Sequence, residues 1–153
     1  MKKTITIFFF LITSSLASYE IIDAKNIYTV KIENASFQNK FVNLKDEIIH
    51  NSFVIVHELN LANSTNIISK VLKKKKVLVN GKTLLICKGS FALQMLEENI
   101  SNITYCPLAI STYEKDETIF ISFRKYKSFN KNDTIANKIN EQLKKLILDS
   151  LKD

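Results

Sequence analysis

Cys87 and Cys106 carry the most distinctive chemistry available to this 153-residue chain, because two thiols can form a bridge, act as a redox couple or ligate a soft metal. A bridge between them would close a loop of about 20 residues and add roughly 3 kcal/mol by restricting the unfolded chain. Two buried free thiols are the second reading, and a redox or metal-binding pair the third. A copper or zinc site would have to recruit His57, His50 or Met95 beside the sulfurs, without any CxxC or HxxxH spacing to support it. A histidine on a strand is ordinarily a packed or surface side chain, so no metal is expected.

Arg124 is the other sharp candidate, the single arginine among 21 lysines. A guanidinium can fork two hydrogen bonds onto a carboxylate or another oxyanion, although a surface ion pair is its commoner use. It ends the run TIFISFR, which follows CPLAISTY and the acidic turn Glu114-Lys115-Asp116-Glu117. That pattern predicts a hairpin. With the turn at Lys115-Asp116, Glu114 faces Glu117, and the pairs are Thr112 with Ile119, Ile110 with Ile121, Leu108 with Phe123 and Pro107 with Arg124. Even-numbered residues of the first strand then face the core. Ala109, Ser111, Tyr113, Phe120, Ser122 and Arg124 share the other, half-polar face, which is either solvated or covered by a ligand or partner. Ser111, Tyr113, Ser122 and Arg124 are its candidate contacts. Glu114 and Glu117 read as solvated turn charges, since an exposed turn cannot desolvate them.

Enzyme signatures are absent. The sequence has no nucleophile elbow, Walker loop, GxGxxG or HExxH, and two glycines in all leave little to cradle a phosphate. No catalytic residue and no cofactor are therefore assigned. Glu97-Glu98-Asn99-Ile100-Ser101 forms an acceptor of the type used by bacterial N-glycosylation systems, with Asn99 at its centre.

The elements that must position these residues follow from hydrophobic spacing. Ile27 to Ile32 is β-branched and aromatic enough for a first strand, preceded by a polar lead-in over 18–26. Ser36 caps a helix whose apolar residues are Phe37, Phe41, Leu44 and Ile48, ended by His50 and Asn51. Phe53 to Glu58 reads as a strand, and Ile67, Ile68, Val71 and Leu72 as the apolar face of a short helix. Thr83 to Cys87 is a strand, with Val77 to Val79 as a short partner or a loop. Ser90 is the expected cap of a helix carrying Phe91, Met95 and Leu96, which stops by Asn99 to Asn102. Cys106, at the start of its strand, shares the parity of Leu108 and Ile110. After the hairpin, Asp133 opens an amphipathic helix through Ile135, Ile139, Leu143, Leu146 and Ile147. This order predicts an α+β fold, a two-layer sandwich of one antiparallel sheet with helices on one face.

Composition sets the class. Hydrophobic residues make up 46% and charged residues 24%, with one proline, which fits one globular domain over 27–153. Lys2 and Lys3 precede the apolar run Ile5 to Ile12, and Ser15-Leu16-Ala17 supplies small residues, so residues 1–17 read as a signal peptide cut between Ala17 and Ser18. The apolar stretch is about half of what a bilayer span requires. The mature protein is expected to be periplasmic, without a membrane partner. Losing Lys2 and Lys3 leaves 20 basic against 15 acidic groups, so the net charge falls from +7 to +5. Lys73 to Lys76 could attract an anionic surface but reads as a solvated loop, and the scarcity of arginine and of interleaved aromatics argues against nucleic acid.

The run TLLIC, the helix around SFALQMLEEN, then CPLAISTYE and TIFISFRK resembles domain-of-unknown-function family 302 over roughly residues 27–126. Cys106, Pro107, Ile110, Tyr113 and Glu114 look like the C-P-x-x-I-x-x-Y-E segment of an exported, cysteine-containing branch. The resemblance implies a β-α-β(4)-α fold like one half of the TATA-binding protein, often as a homodimer, and implies no reaction. Ile86-Cys87-Lys88-Gly89 departs from the Phe-Gly-Asn-Pro found more broadly in the family. Two functional readings follow: a non-enzymatic domain binding a small molecule or protein on the half-polar face, or a thiol-redox or soft-metal protein working through Cys87 and Cys106.

Overall fold

A computed structural model describes residues 18–127 and 134–152. The signal-peptide reading of residues 1–17 and the Asp133 helix cap lie outside the described residues. Six strands, β1 (Tyr19–Asp23), β2 (Ile27–Ile32), β3 (Val54–Asn60), β4 (Gly81–Cys87), β5 (Leu108–Lys115) and β6 (Thr118–Arg124), form one sheet in the order β1-β2-β6-β5-β4-β3. Every neighbouring pair is antiparallel. The helices are α1 (Phe37–His50), α2 (Leu61–Val71), α3 (Gly89–Glu98) and α4 (Thr134–Asp149), and a 3-10 segment, Ile100–Tyr105, links α3 to β5.

Alternation along each strand sets the layers. Val30, Ile32, Leu84, Ile86, Leu108, Ile110, Ile119 and Ile121 are buried against Phe41, Leu44 and Ile48 of α1, Phe91 and Met95 of α3, and Ile139, Leu143 and Leu146 of α4. Each such side chain contributes about 1.5 to 3 kcal/mol by leaving water. Ser36 caps α1 as expected, its Oγ accepting from the Asn39 amide at 3.4 Å. The α+β sandwich predicted from spacing is the fold observed. Helix α2 stands apart: Ala62 is its buried residue, and Ile67, Ile68, Val71 and Leu72, read as an apolar face, are exposed.

Three local readings change, and one left open is decided. The lead-in 18–26 contains strand β1, which is exposed along its whole length and so carries no core periodicity; its ladder with β2, from Tyr19 opposite Ile32 to Asp23 opposite Tyr28, holds it. The hairpin turn is Asp116-Glu117, with Lys115 opposite Thr118, two residues from the register expected. Asp116 and Glu117 both have positive φ, 50° and 61°, the backbone of the two-residue turn whose twist suits paired strands. A slip of two preserves the faces, so Thr112 pairs with Ile121 and both remain buried. Helix α3 begins at Gly89 rather than after Ser90: Lys88 is its cap, without a side-chain bond, and its carbonyl accepts from the Phe91 and Ala92 amides. Val77 to Val79 is a loop, held to α2 where Asn66 Nδ2 donates to the Leu78 carbonyl at 3.2 Å.

Candidate functional site

The central pair of strands separates. Strands β5 and β6 pair from Lys115–Thr118 up to Ser111–Ser122, and the ladder stops there. Beyond that rung β5 stays with β4, as far as Leu108 opposite Ile86, while β6 stays with β2, as far as Arg124 opposite Ile27. A parted ladder leaves backbone amides to be satisfied. The Ala109 amide donates to the Tyr126 phenol oxygen at 3.1 Å instead of to β6. Tyr126 is fixed from behind by α4, where Asn140 Nδ2 donates to its carbonyl and its amide donates to Asn140 Oδ1, both at 2.9 Å.

The gap is a cavity of about 520 Å³ lined by Ile27, Thr104, Tyr105, Ala109, Ser111, Ser122, Phe123, Arg124, Lys125 and Tyr126. Tyr105 and Tyr126 meet edge to face, with ring centroids 5.3 Å apart, and make its aromatic wall. The two cations differ in use. Lys125 is ion-paired with Asp23, which also receives Lys144 at 3.3 Å. The hydrogen bond from Lys125 is the main cause holding the Asp23 carboxyl below its usual range. Arg124 forms no ion pair among the described residues. Burial is the first cause that pushes the Tyr126 phenol above its ordinary pKa, so it enters the site as a neutral hydrogen-bonding group.

Of the predicted contacts, Ser111, Ser122 and Arg124 share this cavity. Tyr113 does not. It stacks on Phe120 across the ladder, centroids 5.1 Å apart, and lines a second cavity of about 290 Å³ with Leu61, Leu78 and Thr83, which Ser111 and Ser122 also border. Rungs across β2, β6, β5 and β4 set Thr29, Ser122, Ser111 and Thr83 in one row of hydroxyls between the two cavities. Tyr105, Tyr126, Lys125 and Asn140 were not singled out by sequence. Tyr126 continues the parity of Arg124 past the end of β6, a local signal that could have placed it; Asn140 had none.

The cysteines are free thiols, both half-buried, and the bridge favoured by their strand positions is absent from the structure. With Ile86 opposite Leu108, the next rung would set Cys87 against Pro107, not Cys106. Cys87 follows the parity of Thr83 and Leu85, away from α1, α3 and α4, whereas Cys106 packs on the core those helices cover. A disulfide needs converging Cβ vectors. Burial first, and then the charge of Cys87, raises the Cys106 thiol above its ordinary pKa. The soft-metal candidates do not gather around the sulfurs: His57 is exposed on β3 opposite Leu85, His50 ends α1 on the surface, and Met95 is buried in the core. Among the described residues no three His, Cys, Asp or Glu side chains are grouped to hold a metal. The Asn99 side chain accepts from the Ser101 amide at 2.9 Å and caps the 3-10 segment.

The fold and residues 28–149 together define the class: this chain belongs to the family Domain of unknown function DUF302, whose profile matches that span. The crystal structure of an uncharacterized conserved DUF302 protein from Bacillus stearothermophilus is similar, with a TM-score of 0.64 at 17% identity over 84% of this chain and 97% of that one. That likeness shows the fold. No curated protein matches the chain.

Proposed function

We propose that this protein is an exported, non-enzymatic binding domain that takes a small organic anion, a carboxylate on an apolar body, into the cleft between β5 and β6. The observation that carries the reading is Arg124, a guanidinium with no carboxylate partner among the described residues, lining one cavity with Ser111, Ser122 and an aromatic wall. Neighbouring Lys125 is already neutralised by Asp23, so the charge left for a ligand is that of Arg124. The hydroxyls supply donors, the guanidinium supplies a fork, and Ile27 with the two tyrosines supplies apolar contact. Titration calorimetry with a panel of aliphatic and aromatic carboxylates, beside their amides, tests this. Binding of an acid but not its amide, lost in Arg124→Ala and weakened in Ser122→Ala, supports the reading; equal binding of acid and amide, or no binding by any member, ends it. Intact mass of the envelope-purified protein tests export, through a chain beginning at Ser18, and light scattering tests the expected homodimer.

A second reading rests on the register of β4 and β5, in which the rung after Ile86–Leu108 would set Cys87 against Pro107, the neighbour of Cys106. A thiol-redox or soft-metal role would make both cysteines indispensable. Alkylation at pH 7 of the protein purified without reductant distinguishes the readings: slow blocking of Cys106 and unchanged anion binding in Cys87→Ser leave the pair without a role in the cleft, whereas fast blocking of both thiols favours the thiol reading.

A further inference from the structure

We infer that helix α2 and the loop after it form a docking surface for the anionic face of a lipid bilayer, a site separate from the cleft. The helix is inverted. Its inward stripe is Ala62, Asn66 and Ser69, small or polar, while Ile67, Ile68, Val71 and the capping Leu72 point outward. At 3.6 residues per turn these four occupy a sector of about 140°. Val77 and Val79, on the loop that Asn66 holds at Leu78, are uncovered as well, and all six aliphatic side chains are between 53% and 85% exposed. An apolar helix face left open in this way is exceptional on a domain that hides its other helices' apolar faces in a core.

Charge decides what covers it. Lys70 on the helix and the Lys73 to Lys76 run that directly follows it, between Leu72 and Val77, are all exposed, and none has an ion-pair partner among the described residues. No acidic residue occurs between Glu58 and Glu97. A second copy docking face to face would bring the same five lysines against each other, which opposes self-association through this patch. Nucleic acid would meet aliphatic side chains where bases need aromatic ones. A bilayer bearing acidic headgroups satisfies both halves at once: the branched side chains enter the headgroup and acyl boundary while the ammonium groups remain among the phosphates.

The chain has no tryptophan, so Ile68→Trp in the full-length protein supplies a single local reporter on the patch. Vesicles of phosphatidylglycerol and phosphatidylcholine should shift its emission to the blue, brominated lipid should quench it, and pure phosphatidylcholine should do neither. Lys73, Lys74, Lys75 and Lys76→Glu in the same background should weaken partitioning by roughly tenfold or more, and added salt should weaken the parent. Residues 1–17 are common to both proteins and cancel in this comparison. Circular dichroism on each variant checks the fold, which these exposed positions leave intact. Emission unchanged by anionic vesicles overturns the inference, as does a shift equal for both lipids and insensitive to the Lys→Glu changes. A shift that follows protein concentration without lipid assigns the patch to a second copy and overturns it too.

Discussion

Thr83 and Ser111 share a hydrogen bond of 2.9 Å, hydroxyl to hydroxyl, across the β4–β5 ladder, on the rung that separates the two cavities. Thr83 is buried, so removing its partner leaves a polar group without water. Ser111→Ala should cost about 1 to 2 kcal/mol in urea unfolding. The double variant with Thr83→Val should lose less than the two single losses added, because no orphaned hydroxyl remains. Strict additivity in that cycle would mean that the pair is not coupled.

Glu58 ties β3 to two layers, accepting from Lys82 of β4 at 2.7 Å and from Lys45 of α1 at 3.1 Å. The hydrogen bond from Lys82 is the largest of the causes that hold its carboxyl below the usual range. A carboxylate with a lowered folded pKa contributes stability above its unfolded value of about 4.3, and that contribution is lost as the pH falls through the lower folded value. Glu58→Gln should therefore be less stable than the parent by about 0.5 to 1 kcal/mol at pH 7, and the gap should close as the pH falls below the unfolded value and through the lower folded one. A gap that persists at low pH would place the effect in packing.

A Cβ on Gly81 would lie 2.3 Å from Leu78 Cδ2 and 2.9 Å from Cγ. Gly81→Ala should destabilise by about 1 kcal/mol, as overpacking does. In a Leu78→Ala background the same change should become neutral or favourable, which thermal melts of the four proteins would reveal.

The hairpin turn holds two acidic side chains in left-handed backbone, where Asn and Gly rest with less strain. Asp116→Asn with Glu117→Gly should raise stability by roughly 1 kcal/mol. An unchanged or lower denaturation midpoint would refute the turn geometry.

Cys106 is a thiol raised by burial, and so is poorly ionised at neutral pH. Its alkylation by iodoacetamide should be slow at pH 7 and accelerate only well above the pKa of an ordinary thiol. Peptide mapping over a pH series measures this, and a fast reaction at pH 7 would restore a catalytic or redox role for this thiol.

The strands and helices of the core were legible because burial on one side imposes a period that survives in the residues themselves: Phe41, Leu44 and Ile48 on α1, or Leu108, Ile110 and Thr112 on β5. The half-polar face was legible for the same reason, and Ser111, Ser122 and Arg124 do meet there. Parity, however, does not fix register. A slip of two residues in the hairpin leaves every side chain on its face, so the spacing of apolar residues could not distinguish turn Lys115-Asp116 from turn Asp116-Glu117. Strand β1 was invisible because an exposed edge strand needs only backbone partners, and backbone bonding leaves little mark on side-chain type.

Tertiary structure alone decided the cleft. It exists because β5 follows β4 while β6 follows β2, a competition between ladders far apart in the chain, and because Asn140 of α4 holds Tyr126 where the Ala109 amide would otherwise lack a partner. It also decided which way α2 faces: the sequence by itself determined that Ile67, Ile68, Val71 and Leu72 share one side of a helix, and only the packing of Ala62 and the Asn66 to Leu78 hydrogen bond turned that side outward. Periodicity reports which residues lie together, whereas the side that meets the core depends on what the rest of the chain offers to cover it.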